Sequence, residues 1–255
     1  MTPDLSITGI AKSFDGVTAL AGVTFTVTTG TVTGLIGPNG SGKTTLFNVI
    51  SGFLAPDAGE VRWQGRPLTG LPPHRVARRG IARTFQTLRL IWQLSALDNV
   101  LLAFPGQRGE GLMGALLDPR VGPQGRKDRD QALGILDEIG LGREARSRAE
   151  ELSYGQQKLL SLAMCLATGA SLLLLDEPVA GIAPMTAEAI LDIVNRLKAA
   201  GKTILLIEHN LEAISAVADH LIVLASGHKI AEGSVHDVLR APEVLESYLG
   251  RPLHA

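Results

Sequence analysis

Gly37-Pro38-Asn39-Gly40-Ser41-Gly42-Lys43-Thr44-Thr45 is the stretch around which the rest of the chain is organised. Ahead of it, Val32-Thr33-Gly34-Leu35-Ile36 reads as a short buried strand; behind it, Leu46-Phe47-Asn48-Val49-Ile50 reads as the inner face of a helix. Strand, glycine-rich turn and helix is the context that G-x-x-x-x-G-K-[ST] requires if it is to be more than a string match. Without a Cβ, the glycines let successive backbone N–H groups converge on one point. The helix that starts there aims the positive end of its dipole at the same point. Lys43 adds a full charge for the β- and γ-phosphates, and Thr44 a hydroxyl for a magnesium ion. The bland alternative is a glycine-rich turn with a surface lysine, and the full eight-residue pattern with its flanks speaks against it. The stretch predicts a nucleoside triphosphate site.

The chain has 255 residues, enough for one large domain or for a core carrying an insert. Lys and Arg number 24 against 25 Asp and Glu, so no global field gathers nucleic acid or anionic lipid. The nearest thing to a basic patch is Arg75, Arg78, Arg79, Arg83 and Arg89, which reads more readily as a solvated helix face than as a phosphate track. Cys165 is the only cysteine; it excludes an internal disulfide and fits a reducing compartment. Met1-Thr2-Pro3-Asp4 has neither a basic n-region nor an apolar h-region, so no secretory signal is expected. Leu159 to Leu175 carries no charge and approaches the length of a membrane span, but Thr168-Gly169-Ala170-Ser171 divides it. Its first half suits a helix and Leu172 to Leu175 a buried parallel strand, so a soluble chain is expected.

In chain order, Leu5 to Phe14 and Val23 to Val27 read as strands. Phe14, beside the turn Asp15-Gly16, is a strand-end core residue or a plate for a nucleotide base. Glu60 to Gln64 predicts a short strand, Pro72 to Arg79 a short helix, and Ile81 to Gln86 a strand ending on a glutamine. From Thr87 the pattern turns helical: Ser95 caps a helix through Ala103, Pro105 to Gly125 is a loop, and Asp128 to Ile139 is a helix with Leu133, Leu136 and Ile139 on one face. This stretch reads as a helical insertion. Leu152-Ser153-Tyr154-Gly155-Gln156 opens a helix to Ala167; Ser153 and Gln156 have capping-box spacing, and the same helix start is an anion site.

The Leu172 to Leu175 strand ends in Asp176-Glu177-Pro178. A carboxylate at that strand edge is placed to hold magnesium, and Glu177 to take a proton from an attacking water. Pro184 to Ala199 predicts a helix with Ile190, Ile193, Val194 and Leu197 inward. Thr203 to Ile207 is a second buried parallel strand, ending in Glu208-His209-Asn210, and Leu221 to Leu224 with Lys229 to Glu232 makes a hairpin before two short helices.

With these motifs in this order, the chain resembles the ATPase subunits of ABC transporters over essentially its whole length. The resemblance implies a P-loop α/β core with an N-terminal antiparallel β subdomain and an inserted helical subdomain, dividing the chain into 1–86 with 166–255 as core and 87–165 as helical part. It implies that Phe14 stacks on adenine, that Gly37, Pro38, Asn39, Gly40, Ser41, Gly42, Lys43, Thr44 and Thr45 cradle ATP, and that Gln86 touches magnesium and reports to a membrane subunit. Ser153, Gly155 and Gln156 then form the signature motif; Asp176 with Thr44 and Gln86 holds Mg2+, Glu177 is the catalytic base, and His209 is the switch histidine, acting with Lys43 on the γ-phosphate.

Several stretches look like the longer ATPase of branched-chain amino-acid importers: Ile50-Ser51-Gly52-Phe53, Gly70 to Arg75, Gly80 to Gln86, and Leu205 to His209. Those importers imply two permease subunits, a second and distinct ATPase, a solute-binding protein, and a peripheral place on the cytoplasmic face of the inner membrane. Urea and amide importers, and ATPases of exporters or lipid transporters, look alike. A soluble P-loop switch or kinase is the rival class; the chain lacks an N-K-x-D guanine motif, and a kinase has no need of Leu152 to Gln156. There are two departures from the family pattern. Tyr154 stands where glycine is commoner, and Ala183 where an Asp or Asn usually reaches across the dimer.

Overall fold

The computed structural model describes residues 4–105 and 123–249. Along the chain, β1 (Leu5–Phe14) and β2 (Val17–Val27) form a hairpin, and β3 (Val32–Ile36) runs through the glycine-rich loop into α1 (Lys43–Ile50). β4 (Ala58–Trp63), β5 (Arg66–Pro67), α2 (Pro73–Arg78) and β6 (Ile81–Arg83) follow. The helices α3 (Ala96–Leu102), α4 (Pro123–Glu138) and α5 (Tyr154–Ala167) come next. β7 (Leu172–Asp176), α6 (Pro184–Ala199), β8 (Thr203–Ile207), α7 (Leu211–Val217), β9 (His220–Ala225), β10 (His228–Gly233), α8 (Val235–Val238) and α9 (Pro242–Leu249) complete it.

The strands form two sheets. The first is antiparallel, in the order β2-β1-β4-β5; the second runs β10-β9-β3-β8-β7-β6, parallel except for β10 at its edge. β3, β7 and β8 are buried at every position. Their side chains alternate between two cores: Val32, Leu173, Leu175 and Ile204 face one, while Leu35, Leu172, Leu174 and Leu205 face the other. Strands covered on both faces need apolar residues at every position, which is why these read as unbroken runs. The four leucines of β7 are fully buried, and each contributes roughly 1.5–3 kcal/mol. That anchorage fixes where Asp176 and Glu177 emerge.

The uncharged stretch before Asp176 is a helix and a strand, and among the described residues no helix is long and apolar enough to cross a membrane. The α6 boundaries and its inward Ile190, Ile193, Val194 and Leu197 match expectation. Other boundaries differ. β2 begins at Val17, because β1 and β2 pair down to Phe14↔Val17 through register shifts that blur the alternation. β6 stops at Arg83 and does not reach Gln86; the Thr84 hydroxyl, in place of a backbone carbonyl, accepts from the Asp176 N–H at 3.0 Å.

No helix starts at Thr87. Residues 88–95 are shaped by the wholly buried Asn99, whose Oδ1 accepts from Ile91 N at 2.9 Å and whose Nδ2 donates to the Ile91 and Ser95 carbonyls. α4 starts at Pro123, a residue tolerated in a first helical turn. The rest of the expected glycine-rich loop, 106–122, lies outside the described residues. The buried stripe is Ala132 and Leu136 of α4 with Ile139 just past its end, and Leu133 is only partly covered. α7, capped by Asn210, was not expected from sequence. α5 continues without a break across residue 165.

Candidate active site

In a parallel sheet, ligands gather at the carboxyl ends of the strands. Here the loop after β3, the turn after β7 and the turn after β8 share that edge, because β8 lies between β3 and β7. The loop is built for close approach. A Cβ on Gly37 (φ 150°) would meet the Leu224 carbonyl oxygen at 2.0 Å, and one on Gly42 (φ 104°) the Ala19 carbonyl oxygen at 2.5 Å. Ala19 belongs to β2, so the hairpin carrying the half-exposed Phe14 presses on the loop from its other end. The Lys12 ammonium lies 5.6 Å from the Phe14 ring.

Lys43 folds back into the loop. Its Nζ donates to the carbonyls of Gly37 at 2.8 Å and Pro38 at 2.9 Å. Burial holds its ammonium below the ordinary lysine range, against the pull of Glu177 and Asp176. A buried cation resting on neutral carbonyls is set to exchange them for phosphate oxygens. Thr44 is exposed on the first turn of α1.

Asp176 Oδ2 accepts from the Arg83 guanidinium at 2.9 Å, with both side chains buried. Burial raises the Asp176 carboxyl above its usual range, and the Arg83 hydrogen bond and charge oppose that rise. Asp176 and Thr44 offer the oxygen donors a hard cation takes, and Asp176 already faces a positive group, so magnesium fits this donor set. Glu177 has left-handed backbone (φ 49°), its Oε1 lies 2.6 Å from His209 Nε2, and its Oε2 accepts from Gln86 Nε2 at 3.4 Å. The structure therefore brings Gln86, Glu177 and His209 into one cluster beside Asp176 and Lys43.

Ser153 caps α5: its Oγ accepts from Gln156 N at 3.3 Å, and Gln156 Oε1 accepts from Ser153 N at 2.9 Å. The capping box is formed. Gly155 allows tight packing, since a Cβ there would meet Thr186 Cγ2 at 2.8 Å. Ala183 is the N-cap of α6 and supplies no capping side chain.

Residues 20–180 match the family described as ABC transporter. The chain belongs to the ABC transporter family. This ABC ATPase is 35% identical over 250 residues to the high-affinity branched-chain amino acid transport ATP-binding protein BraF of Pseudomonas aeruginosa, covering 97% of this chain and 98% of that protein. It is 39% identical over 246 residues to the probable branched-chain amino acid transport ATP-binding protein LivG of Archaeoglobus fulgidus, covering 96% and 95%. Among solved structures, it is similar to a nucleotide-free ATP-binding cassette from an ABC transporter, with TM-score 0.85, 38% identity and coverage of 98% of this chain and 100% of that one. An ATP-binding cassette in its ADP conformation gives TM-score 0.84, 37% identity and the same coverage.

Four charged residues of the ABC ATPase were not legible as site residues. Arg83 was grouped with a solvated arginine face, yet its guanidinium is buried, bonding Asn48 Oδ1 at 2.7 Å and Ser51 Oγ at 3.1 Å besides Asp176. Arg89 stacks 3.8 Å from the Phe85 ring centroid. Lys158 and Glu208 lie close behind Glu177. The available signal was a charge bordering an apolar run, Lys158 just before Leu159 and Glu208 just after Ile207.

Proposed function

We propose that this chain hydrolyses ATP to drive an importer of branched-chain amino acids, from the cytoplasmic face of the membrane. One observation carries the catalytic part: Glu177 is held 2.6 Å from His209 at the strand edge where Lys43 and Asp176 also emerge. In this reading Gly37 to Thr45 wrap the phosphates, Lys43 neutralises the γ-phosphate, and Phe14 stacks on the base. Glu177 takes the proton of the attacking water and His209 fixes the orientation of the pair. Thr44, Asp176 and Gln86 would hold magnesium, which would supply charge neutralisation at the phosphates.

The substrate class follows from the names of relatives that align end to end with this chain. Two ATPase subunits sandwich two ATP molecules, with Ser153, Gly155 and Gln156 of one facing the phosphate loop of the other. The helices α3 to α5 move against the sheet core. Gln86 relays that movement to two permease subunits, which a solute-binding protein serves. A groove of about 360 Å3 beside it, lined by Phe53, Phe85, Arg89, Ala103 and Met164, supports docking there. Ala183 lacks the side chain that reaches across, which supports a second ATPase that is a distinct chain. The Glu177→Gln variant tests the reading: it retains ATP binding and loses about 10²–10⁴-fold in turnover. Turnover within a few-fold of wild type removes Glu177 from the role. The same variant with ATP, weighed in solution alone and with the partner ATPase, tests the mixed dimer.

A further inference from the structure

Glu177 occupies a backbone region that L side chains hold only when their surroundings force it. Two charged residues with no role in the chemistry above supply that force. The Lys158 ammonium, on α5, donates to the Glu177 carbonyl at 2.5 Å. Glu208, at the end of β8 and 1% exposed, accepts from Val179 N at 2.8 Å through Oε1 and from His209 N at 3.2 Å through Oε2. Glu177 N donates to the Ile207 carbonyl at 2.9 Å, and the Glu177 side chain returns to His209. The chain thus closes a ring from Glu177 through Val179, Glu208 and His209 back to Glu177, with Lys158 clamping it from the helix.

The charges explain why the clamp is a lysine. Burial lowers the Lys158 ammonium and raises the Glu208 carboxyl, and each opposes the shift of the other; Glu177 and Asp176 also favour the ammonium. Lys158 thus lies in the field of all three carboxylates, while the Arg83 guanidinium makes the direct contact to Asp176. Tyr154, one helical turn before, lays its ring 5.5 Å from the same ammonium, which gives the residue in place of the commoner glycine a local task.

We propose that Lys158 and Glu208 are positioning residues for Glu177, holding its peptide in the left-handed conformation and tying the helix that begins at Ser153 to the Glu177–His209 pair of the same subunit. The proposal rests on Glu177 being the base. A general base displaced by about 1 Å loses on the order of 10² in rate, whereas nucleotide contacts made by the phosphate loop are untouched. A shift of α5 that follows contact at Ser153 reaches Glu177 through the Lys158 side chain, so each subunit's signature helix sets its own base.

The test uses the assembled transporter and single-turnover hydrolysis. Lys158→Met and Glu208→Gln each lower the rate at saturating ATP by about 10- to 100-fold, while the ATP dissociation constant stays within about three-fold. In a Glu177→Gln background, Lys158→Met adds no further loss, because the residue it positions is already disabled. A rate within two-fold of wild type for Lys158→Met, a loss confined to ATP affinity, or losses that multiply in the Glu177→Gln background would each overturn the proposal. If Lys158→Met fails to fold, Glu208→Gln, which keeps shape and volume, carries the same comparison. Glu177→Gln with wild-type turnover rejects the base itself; an inactive Glu177→Gln beside a fully active Lys158→Met rejects the clamp alone.

Discussion

Replacing Arg83 by Met removes the cation that Asp176 faces. The two side chains are 6% and 4% exposed, so water cannot take over the lost contact. Breaking a buried pair by deleting one partner costs about 3–5 kcal/mol, since the other charge stays buried and uncompensated. Asn48 and Ser51 lose a partner as well, and the flanking Phe47 and Phe85 rings, 5.3 and 5.0 Å from the guanidinium, lose a stacking group. For a chain of this size each kcal/mol moves Tm by roughly 2–4 °C, which puts the expected fall at roughly 6–20 °C. The double variant Arg83→Met with Asp176→Asn removes both charges and recovers most of that loss. Thermal and urea unfolding of the nucleotide-free chain measure both. A single variant within about 1 kcal/mol of wild type, or a double variant as unstable as the single, refutes the account.

Three other outcomes are expected. Ala183→Ser gives the sixteen-residue α6 the capping oxygen it lacks and raises stability by about 1 kcal/mol, read as a higher Tm; an unchanged Tm argues that the helix start is already satisfied. Burial pushes the Cys165 thiol from its ordinary value near 9.0 up to about 12. The sign follows: ionisation is disfavoured in the fold, so folded protein resists thiol reagents well past pH 9, while chain unfolded in guanidinium reacts there, and fast labelling of folded protein contradicts this. Gln86→Ala in the reconstituted transporter lowers transport far more than ATP affinity; equal losses in both would remove the relay role.

The sequence by itself determined what is local. Strand, glycine loop and helix announce the phosphate cradle because the required geometry lies within neighbouring residues, 32 to 50. The leucine run before Asp176 and the inward stripe of α6 are equally plain, as both follow the period of their own element. The tertiary structure alone decided what depends on strand order and on distant partners. Placing β8 beside β7 brings His209 to Glu177, and no spacing along the chain encodes that neighbour relation. Arg83 and Asp176 are 93 residues apart, and a lone arginine in a strand looks the same whether it faces water or a buried carboxylate. Asn99 made residues 88–95 irregular by satisfying their backbone from a side chain, against a pattern that read as helical. Lys158 and Glu208 showed in the sequence only as charges bordering apolar runs; the partners that give half-buried Lys158 and buried Glu208 a task come from other elements.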